Sequence, residues 1–438
     1  MAETPRAQAV AALLRIEEDA AYAARVGYDG PSEHAPEREA RFVTEIVSGV
    51  TRMKRRLDFL LQSAYRGDLA AMEPTLRQIL RMGLYERMFL DTPDHAAVSE
   101  AVALAKRLVR PGAAGLVNAV LRTLQRGPLP DPDPSDPIRA LAIVHSHPTW
   151  MVHRWAERFG LAETEALLML HNERPVFGVR VNGARYAAGE FLKAMNEAGV
   201  QANASPYVPD AFRVARMQPV LPLLKDGRVA VQDDAAALVV HVLDPQPGET
   251  VFDVCAAPGG KALYAASRMG RGTVVASDAH AGRLRLVARA AESHGLAHLI
   301  ETVAEDVEAR AASGQTADAV LLDAPCSGTG VVARRADLRW NRSEADLYGL
   351  VGVQTLLLDA AAKLVRPGGR LVYSTCSLEP EENEEQIVAF LQRNPAFRVE
   401  SVAGRVPSAF VTPEGYYAAL PHVHGTDGAF AARLVREG

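Results

Sequence analysis

The sequence predicts a multidomain protein: an all-α N-terminal domain, a small α+β domain in the middle and a C-terminal α/β domain built on a parallel sheet. Three observations predict it. Through the first 128 residues apolar side chains recur at three-and-four spacing. A proline-acid run, P-D-P-D-P-S-D-P from Pro130 to Pro137, then interrupts the chain, since proline donates no backbone hydrogen bond and restricts the residue before it. After about residue 226 short apolar runs alternate with amphipathic stretches, the pattern of parallel strands covered by helices on both faces.

In chain order, Val10, Leu13, Leu14 and Ile16 mark a first helix, and segments near 37–63, 69–90, 95–109 and 113–126 continue the pattern with no convincing strand. These fill an all-helical domain over residues 1–128, followed by a Pro/Asp-rich linker over 129–139. Residues 140–225 mix helical stretches with strand-like ones such as F-G-V-R-V-N, Phe177 to Asn182, and read as the small α+β domain. In the last domain, 226–438, the strand candidates are Thr250–Cys255, Thr273–Asp278, Ala319–Asp323 and Arg370–Thr375, with Phe397–Ser401 and Gly428–Val435 as added edge strands. In such sheets ligands bind beyond the carboxyl ends of the strands, where loops lead into helices.

Composition narrows the function class. At 48% hydrophobic and 23% charged residues the chain of 438 is an ordinary globular one with room for several domains, and extensive disorder is excluded. No run approaches the length of an apolar membrane span, and M-A-E-T-P-R at the start lacks the apolar core of a signal peptide, so a cytoplasmic protein without a membrane partner is expected. The net charge is -5, but residues 1–128 carry 18 Lys plus Arg against 16 Asp plus Glu, leaving that part at +2 and the remainder at -7. The cations are mostly arginine, which suits phosphate but also follows from base composition alone. Three cysteines, Cys255, Cys326 and Cys376, make no disulfide framework, so each needs its own explanation.

The chemistry gathers at the expected strand ends. D-V-C-A-A-P-G-G-K, Asp253 to Lys261, follows the first strand; its glycines allow close approach to the backbone, and the helix it opens offers unpaired N–H groups. It contains no G-x-G-x-x-G, and a Walker loop would need glycine at Cys255 and Ser or Thr at Ala262. Asp278, at the end of the second strand, is placed either to accept from a ribose diol or to cap the next helix. Asp306 faces the same pocket or is a solvated turn residue. Cys326 in D-A-P-C-S-G-T-G and Cys376 in Y-S-T-C-S-L-E-P-E-E-N-E each follow a strand, on the edge where the first loop binds its ligand. An unpaired cysteine is commonly just a small buried apolar residue; here the polar loops and a following helix favour exposed, reactive thiols. Cys255 is assigned to packing, and without C-x-x-C or a Cys/His cluster no metal is expected.

Together D-x-C-A-A-P-G-G-K, D-A-P-C-S-G-T-G and S-T-C-S-x-x-P-x-E-N-E resemble the RNA 5-methylcytosine methyltransferases that use S-adenosylmethionine, over roughly 226–438. H-P-x-W (His147 to Trp150) and R-V-N (Arg180 to Asn182) extend the likeness. E-I-V-S-G-V-T-R (Glu45 to Arg52), H-A-A-V-S-E-A-V (His95 to Val102) and G-L-V-N-A-V-L-R (Gly115 to Arg122) resemble the RNA-binding domain of the NusB family. The two halves together resemble the bacterial small-subunit ribosomal RNA cytosine-C5 methyltransferases. The resemblance implies a Rossmann-like C-terminal domain, S-adenosylmethionine as cofactor, 16S ribosomal RNA as substrate and a monomeric enzyme. It also implies that Cys376 attacks cytosine C6, that Cys326 assists product release, and that Cys255, Ala256, Ala257, Pro258, Gly259, Gly260, Lys261, Asp278, Asp306 and Asp323 line the cofactor pocket. Asp323 is placed to hydrogen-bond the cytosine, or else to cap its loop.

Smaller expectations follow. Lys261 orients Asp323 or the substrate phosphate, or is solvated. Arg52, Lys54, Arg55 and Arg56 form a basic cluster for RNA or a solvated helix face, and Arg180 and Asn182 touch RNA or pack at a strand end. Asp233, after Gln232, reads as a helix cap; His422, His424 and Asp427 are not read as metal ligands; the acidic run Glu379 to Glu385 reads as a solvated helix start. Two other readings stay open: an RNA-binding or assembly factor with an inactive methyltransferase domain, and a DNA cytosine methyltransferase that attacks through the cysteine of the P-C motif.

Overall fold

The computed structural model describes residues 4–18, 37–90 and 92–438. The chain forms two units, one of Met1–Glu173 with Val332–Arg342, the other of Arg174–Val331 with Ser343–Gly438.

Among its described residues the first unit is helical: α1 (Pro5–Glu18), α2 (Glu37–Ala64), α3 (Pro74–Phe89), α4 (Asp94–Leu108) and α5 (Ala113–Gln125) surround one apolar core that includes Val10, Leu13, Val47, Leu57, Ile79, Leu80, Val117 and Leu121. Helix α3 starts at Pro74 rather than near 69, because proline's fixed φ suits a first helical turn, while Arg77 Nη1 satisfies the Ala70 carbonyl at 2.8 Å just before it. Gly83 is needed where α3, α4 and α5 meet, since a Cβ there would lie 3.0 Å from Leu121 Cδ1 and 3.2 Å from Ala101 Cβ. Two buried charges at this core are paired: Arg81 binds Asp58 through two bonds of 2.6 and 2.8 Å, and Glu86 binds Arg6. Three further helices, α6 (Pro137–Val144), α7 (Thr149–Phe159) and α8 (Leu161–Asn172), lie in this unit. Asp136 caps α6 by accepting from Arg139 N at 2.9 Å, with Pro137 following, so the linker's own residues start the helix.

The second unit holds two sheets. The smaller is antiparallel, with strands β1 (Phe177–Val181), β2 (Ala202–Ala204), β3 (Ala211–Val214) and β4 (Val229–Val231) in the order β2-β3-β1-β4, and Phe191 and Met195 of α9 (Ala188–Glu197) in its core. It runs past the expected boundary at 225, because Val229–Val231 pairs with Val179–Val181. The larger sheet has β5 (Thr250–Asp253), β6 (Thr273–Ser277), β7 (Ile300–Val303), β8 (Ala317–Asp323), β9 (Val365–Thr375), β10 (Phe397–Val399), β11 (Tyr417–Ala419) and β12 (Ala429–Arg436). Its order is β10-β12-β9-β8-β5-β6-β7, parallel from β9 to β7 and antiparallel beyond, with β11 added on β12. Thus β12 is not an edge strand; it lies between β9 and β10, and its side chains from Ala429 to Leu434 are buried accordingly.

Alternation along the strands assigns the two faces. Val251, Ala276, Leu321 and Val372 face one core with Leu238, Ala262 and Val287, whereas Phe252, Val275, Val320 and Leu322 face the other with Leu358 and Phe390. By the same period of two, Asp253, Asp323 and Ser374 belong to the first face, at or just beyond the carboxyl ends of neighbouring parallel strands. No helix among the described residues is long and apolar enough to cross a membrane.

Candidate active site

After α10 (Leu221–Lys225) and α11 (Asp234–Leu243), the loop that follows β5 leads into α12 (Gly260–Met269), and several bonds fix it. Ala256 N donates to Ser277 O at 2.9 Å, Ala257 N to Asp278 Oδ2 at 3.2 Å, and Arg283 Nη2 to Ala257 O at 2.7 Å. Gly259, at φ +107°, turns the chain into the helix in a conformation that favours glycine. Asp278 therefore braces this loop; its other oxygen accepts from His280 N at 2.9 Å. It is not the cap of the next helix. Asp306 accepts from Ala309 N at 2.7 Å as the exposed cap of the helix Val307–Ala312. Cys255 packs half-buried against the core, and burial together with the Asp253 charge pushes its thiol up to about 12, so it is inert near neutrality.

The two remaining cysteines meet. Asp323 on β8 and Ser374 on β9 stand opposite each other in parallel register, which carries the loops holding Cys326 and Cys376 to the same sheet edge. The sulfurs are 3.3 Å apart, and Cys376 N donates to Cys326 Sγ at 3.3 Å. The bond to Cys376, then burial and the neighbouring negative charge, push the Cys326 thiol well up. Beside them Lys261 Nζ lies 2.7 Å from Asp323 Oδ2, and Ser374 Oγ donates to Asp323 Oδ1 at 2.7 Å. Burial works against the Lys261 charge, but the Asp323 carboxylate outweighs it and holds the ammonium above its ordinary range. Lys261 thus orients Asp323 and is not a solvated helix-start residue. Asp253, 2% exposed, has one carboxyl oxygen without a partner; burial first, then the Asp323 charge, raise it to about 7.

Sequence reasoning missed the acidic run's contribution. Glu379 and Glu382 are buried, not solvated. Glu382 Oε1 accepts from Ser327 N at 2.8 Å and from Gln354 Nε2 at 2.9 Å, and Oε2 accepts from Ser327 Oγ at 2.5 Å. Hydroxyls then join the two thiol loops: Ser327 Oγ is 3.1 Å from Ser377 Oγ, and Leu378 N donates to Thr329 Oγ1 at 2.8 Å. No local signal marks Glu382, because the Ser327 that it binds lies 55 residues away in the chain.

Other expected residues fall elsewhere. Arg180 is buried, with its guanidinium 3.9 Å from the Tyr264 ring centroid and Nε donating to Gln232 at 3.2 Å, so it packs inside the unit. Asn182 is buried too, donating to the carbonyls of Gly227 and His294. In the helical unit, Arg52 donates to Ala333 O, Arg55 to His147 O and Thr149 Oγ1, Lys54 lies near Glu17 and over the Trp340 ring, and Arg56 pairs with Asp131. None of the four is fully exposed, so the expected free basic face is spent on intramolecular contacts. Asp233 is the cap expected, accepting from Ala235 N at 2.9 Å. His424 stacks on Phe410 with centroids 4.1 Å apart, and among the described residues no cluster of His, Cys, Asp and Glu is placed to hold a metal.

Comparison with known proteins adds the family. The model of the 16S rRNA methyltransferase RsmB/F family matches residues 240–435, that of the NusB family residues 3–126, and that of an RsmF/B-like ferredoxin-like domain residues 147–221. A probable ribosomal RNA small subunit methyltransferase B from Bacillus subtilis is 35% identical, covering 98% of both chains. The chain belongs to the 16S rRNA methyltransferase RsmB/F family. A Synechocystis relative described in the same words is 37% identical over 90% of this chain and 91% of its own. The crystal structure of PH0851 superposes over the whole of both chains with a TM-score of 0.81 at 27% identity. A NusB-type helical domain, a small middle domain and a Rossmann-like methyltransferase domain are therefore the architecture of an rRNA methyltransferase of this family.

Proposed function

We propose that this protein transfers a methyl group from S-adenosylmethionine to C5 of a cytosine in 16S ribosomal RNA, through a covalent bond between Cys376 and C6. The observation that carries this is the pair of sulfurs 3.3 Å apart beside the fixed carboxylate of Asp323. Cytosine C5 is too weak a nucleophile unaided. Addition of the Cys376 sulfur to C6 pushes the ring electrons toward C5, which then takes the methyl group. Loss of the C5 proton to water and departure of the Cys376 sulfur restore the C5–C6 double bond, with the neighbouring Cys326 thiol giving its proton to the departing sulfur and regaining one from solvent. Asp323, held on both oxygens by Lys261 and Ser374, is oriented to hydrogen-bond the ring as it gains charge.

S-adenosylmethionine, when bound, supplies an electrophilic methyl on a sulfonium. The residues present fit it. Gly260 opens α12 where a Cβ would meet nothing nearer than 3.7 Å, a space at a helix N-terminus, and Asp253 offers the buried free oxygen described above. The loop Cys255–Lys261 with Asp278 and Asp323 would hold the cofactor; Asp306 borders the same strand edge.

The test is covalent trapping. Cys326→Ala incubated with S-adenosylmethionine and 16S ribosomal RNA is expected to give a protein–RNA band that survives denaturing electrophoresis, absent for Cys376→Ala and for the double variant. Trapping by Cys376→Ala instead would assign the nucleophile to Cys326. No methyl incorporation by the wild-type chain into 16S ribosomal RNA, free or assembled, would favour an RNA-binding assembly role.

A further inference from the structure

We propose that Glu382 assigns the two thiols their separate duties: its buried carboxylate, locked to Ser327 and lacking a cationic partner among the described residues, holds Cys326 in its neutral form and leaves Cys376 as the attacking sulfur. The reading of Cys376 as nucleophile is the ground on which this rests.

Glu382 is fully buried, and each of its side-chain bonds comes from a neutral donor: Ser327 N, Ser327 Oγ and Gln354 Nε2. Its own carbonyl accepts from Tyr373 Oη at 2.7 Å, which fixes the backbone of the same turn. Ser327 follows Cys326 directly, so the bonds that fix the carboxylate also fix its distance from that sulfur. Positioning alone does not require a charge. A glutamine in this place would still accept from Ser327 N and Gln354, and its amide would donate to the Ser327 hydroxyl, at a much smaller desolvation cost. A buried carboxylate without a counter-ion instead imposes a negative potential on its neighbours, and in a low dielectric that potential is weakly screened. Two titratable groups carry its influence: Cys326 is pushed up first by its bond to Cys376 and by burial, and Tyr373 first by burial, with the Glu382 charge adding to both. The hydroxyl chain from Ser327 through Ser377 ties the loop of Cys376 to the same turn. Glu382 is thus a positioning residue, acting on the ring chemistry only through Cys326.

The test needs no methylation. In the full-length Cys376→Ala chain, the rate of Cys326 alkylation by iodoacetamide is followed against pH, with the modified peptide located by mass spectrometry. Adding Glu382→Gln is expected to move the midpoint of that curve to lower pH, giving alkylation about tenfold faster or more near pH 8. Glu382→Asp, which keeps the charge, stays close to the parent. An unmoved midpoint in the Gln variant, or a raised plateau with the same midpoint, overturns the proposal, since loosening of the loop changes access and not the titration. Should the Gln variant fail to fold by circular dichroism, Ser327→Ala decides: it removes the hydroxyl's bonds to Glu382 and Ser377 but keeps the Ser327 N bond and the charge, so its midpoint should not fall, and a fall overturns the proposal. Failure of the trapping experiment leaves this result readable, and the reverse also holds.

Discussion

Lys261 Nζ lies 2.7 Å from Asp323 Oδ2, joining the first turn of α12 to the end of β8 across 62 residues of sequence. Ser374 occupies the other carboxylate oxygen, so Asp323 has no freedom to rotate away. Such preorganisation matters most as charge develops on the substrate. Asp323→Asn is expected to slow single-turnover methyl transfer by about 10²–10³-fold with a smaller effect on RNA affinity. Lys261→Met should slow it comparably, because the freed carboxylate turns. Full activity in Lys261→Met would reduce the ion pair to a packing role.

The arginines of α2 give a contrasting expectation. Arg55 fastens the segment before α7 through His147 O at 2.6 Å and Thr149 Oγ1 at 2.8 Å. Arg55→Ala should therefore lower the stability of the helical unit by about 1–3 kcal/mol in denaturant unfolding. The salt dependence of RNA binding should stay near that of the wild type, as no phosphate-bound cation is removed. A slope reduced with stability intact would return Arg55 to the RNA surface.

These two cases show what the sequence makes legible. Cys326 and Cys376 were readable as a pair because strand ends in a parallel sheet share an edge, and the local run of apolar residues ending in D-A-P-C or S-T-C marks a strand end without tertiary knowledge. Lys261 and Asp323 lay within those same motifs. Glu382 was not readable, because an acidic run before a helix looks solvated until the turn folds back onto Ser327. The basic cluster misled for the reverse reason: periodicity places Arg52 and Arg55 on a helix, but not what that helix packs against. The late apolar runs were recognisable as strands, yet nothing local tells an inner strand such as β12 from an edge.

Arg339 supplies a stability prediction. In the segment Val332–Arg342, which belongs to the helical unit, its guanidinium is fully buried and donates to Arg52 O at 3.3 Å, Ser146 O at 3.1 Å, Asn172 Oδ1 at 2.8 Å and His171 O at 2.7 Å. Burial pushes its pKa well down from the usual arginine range, with Arg52 nearby adding to the effect. Arg339→Met should cost about 2–4 kcal/mol, because four acceptors lose their donor. Arg339→Lys should not restore stability, since one ammonium cannot reproduce the planar fork. A fully stable Lys variant would show that charge alone is needed there.

Asp253 makes stability depend on pH. Its carboxyl titrates at about 7 in the folded chain against 3.8 as its ordinary value, through burial and the charges of Asp323 and Asp278, only partly offset by Lys261. The folded state therefore holds a proton that the unfolded state has released, and folding takes up that proton between these two values. The neutral form's contribution is fully present below about pH 4 and is lost as pH rises to about 7, with a ceiling of about 4 kcal/mol. Asp253→Asn, always neutral, lacks this loss. Its stability relative to wild type should improve by about 1–3 kcal/mol between pH 5 and pH 8, measured by urea unfolding at both. Equal differences at the two pH values would mean that Asp253 is ionised throughout, with a counter-charge closer than Lys261's present bond to Asp323 allows.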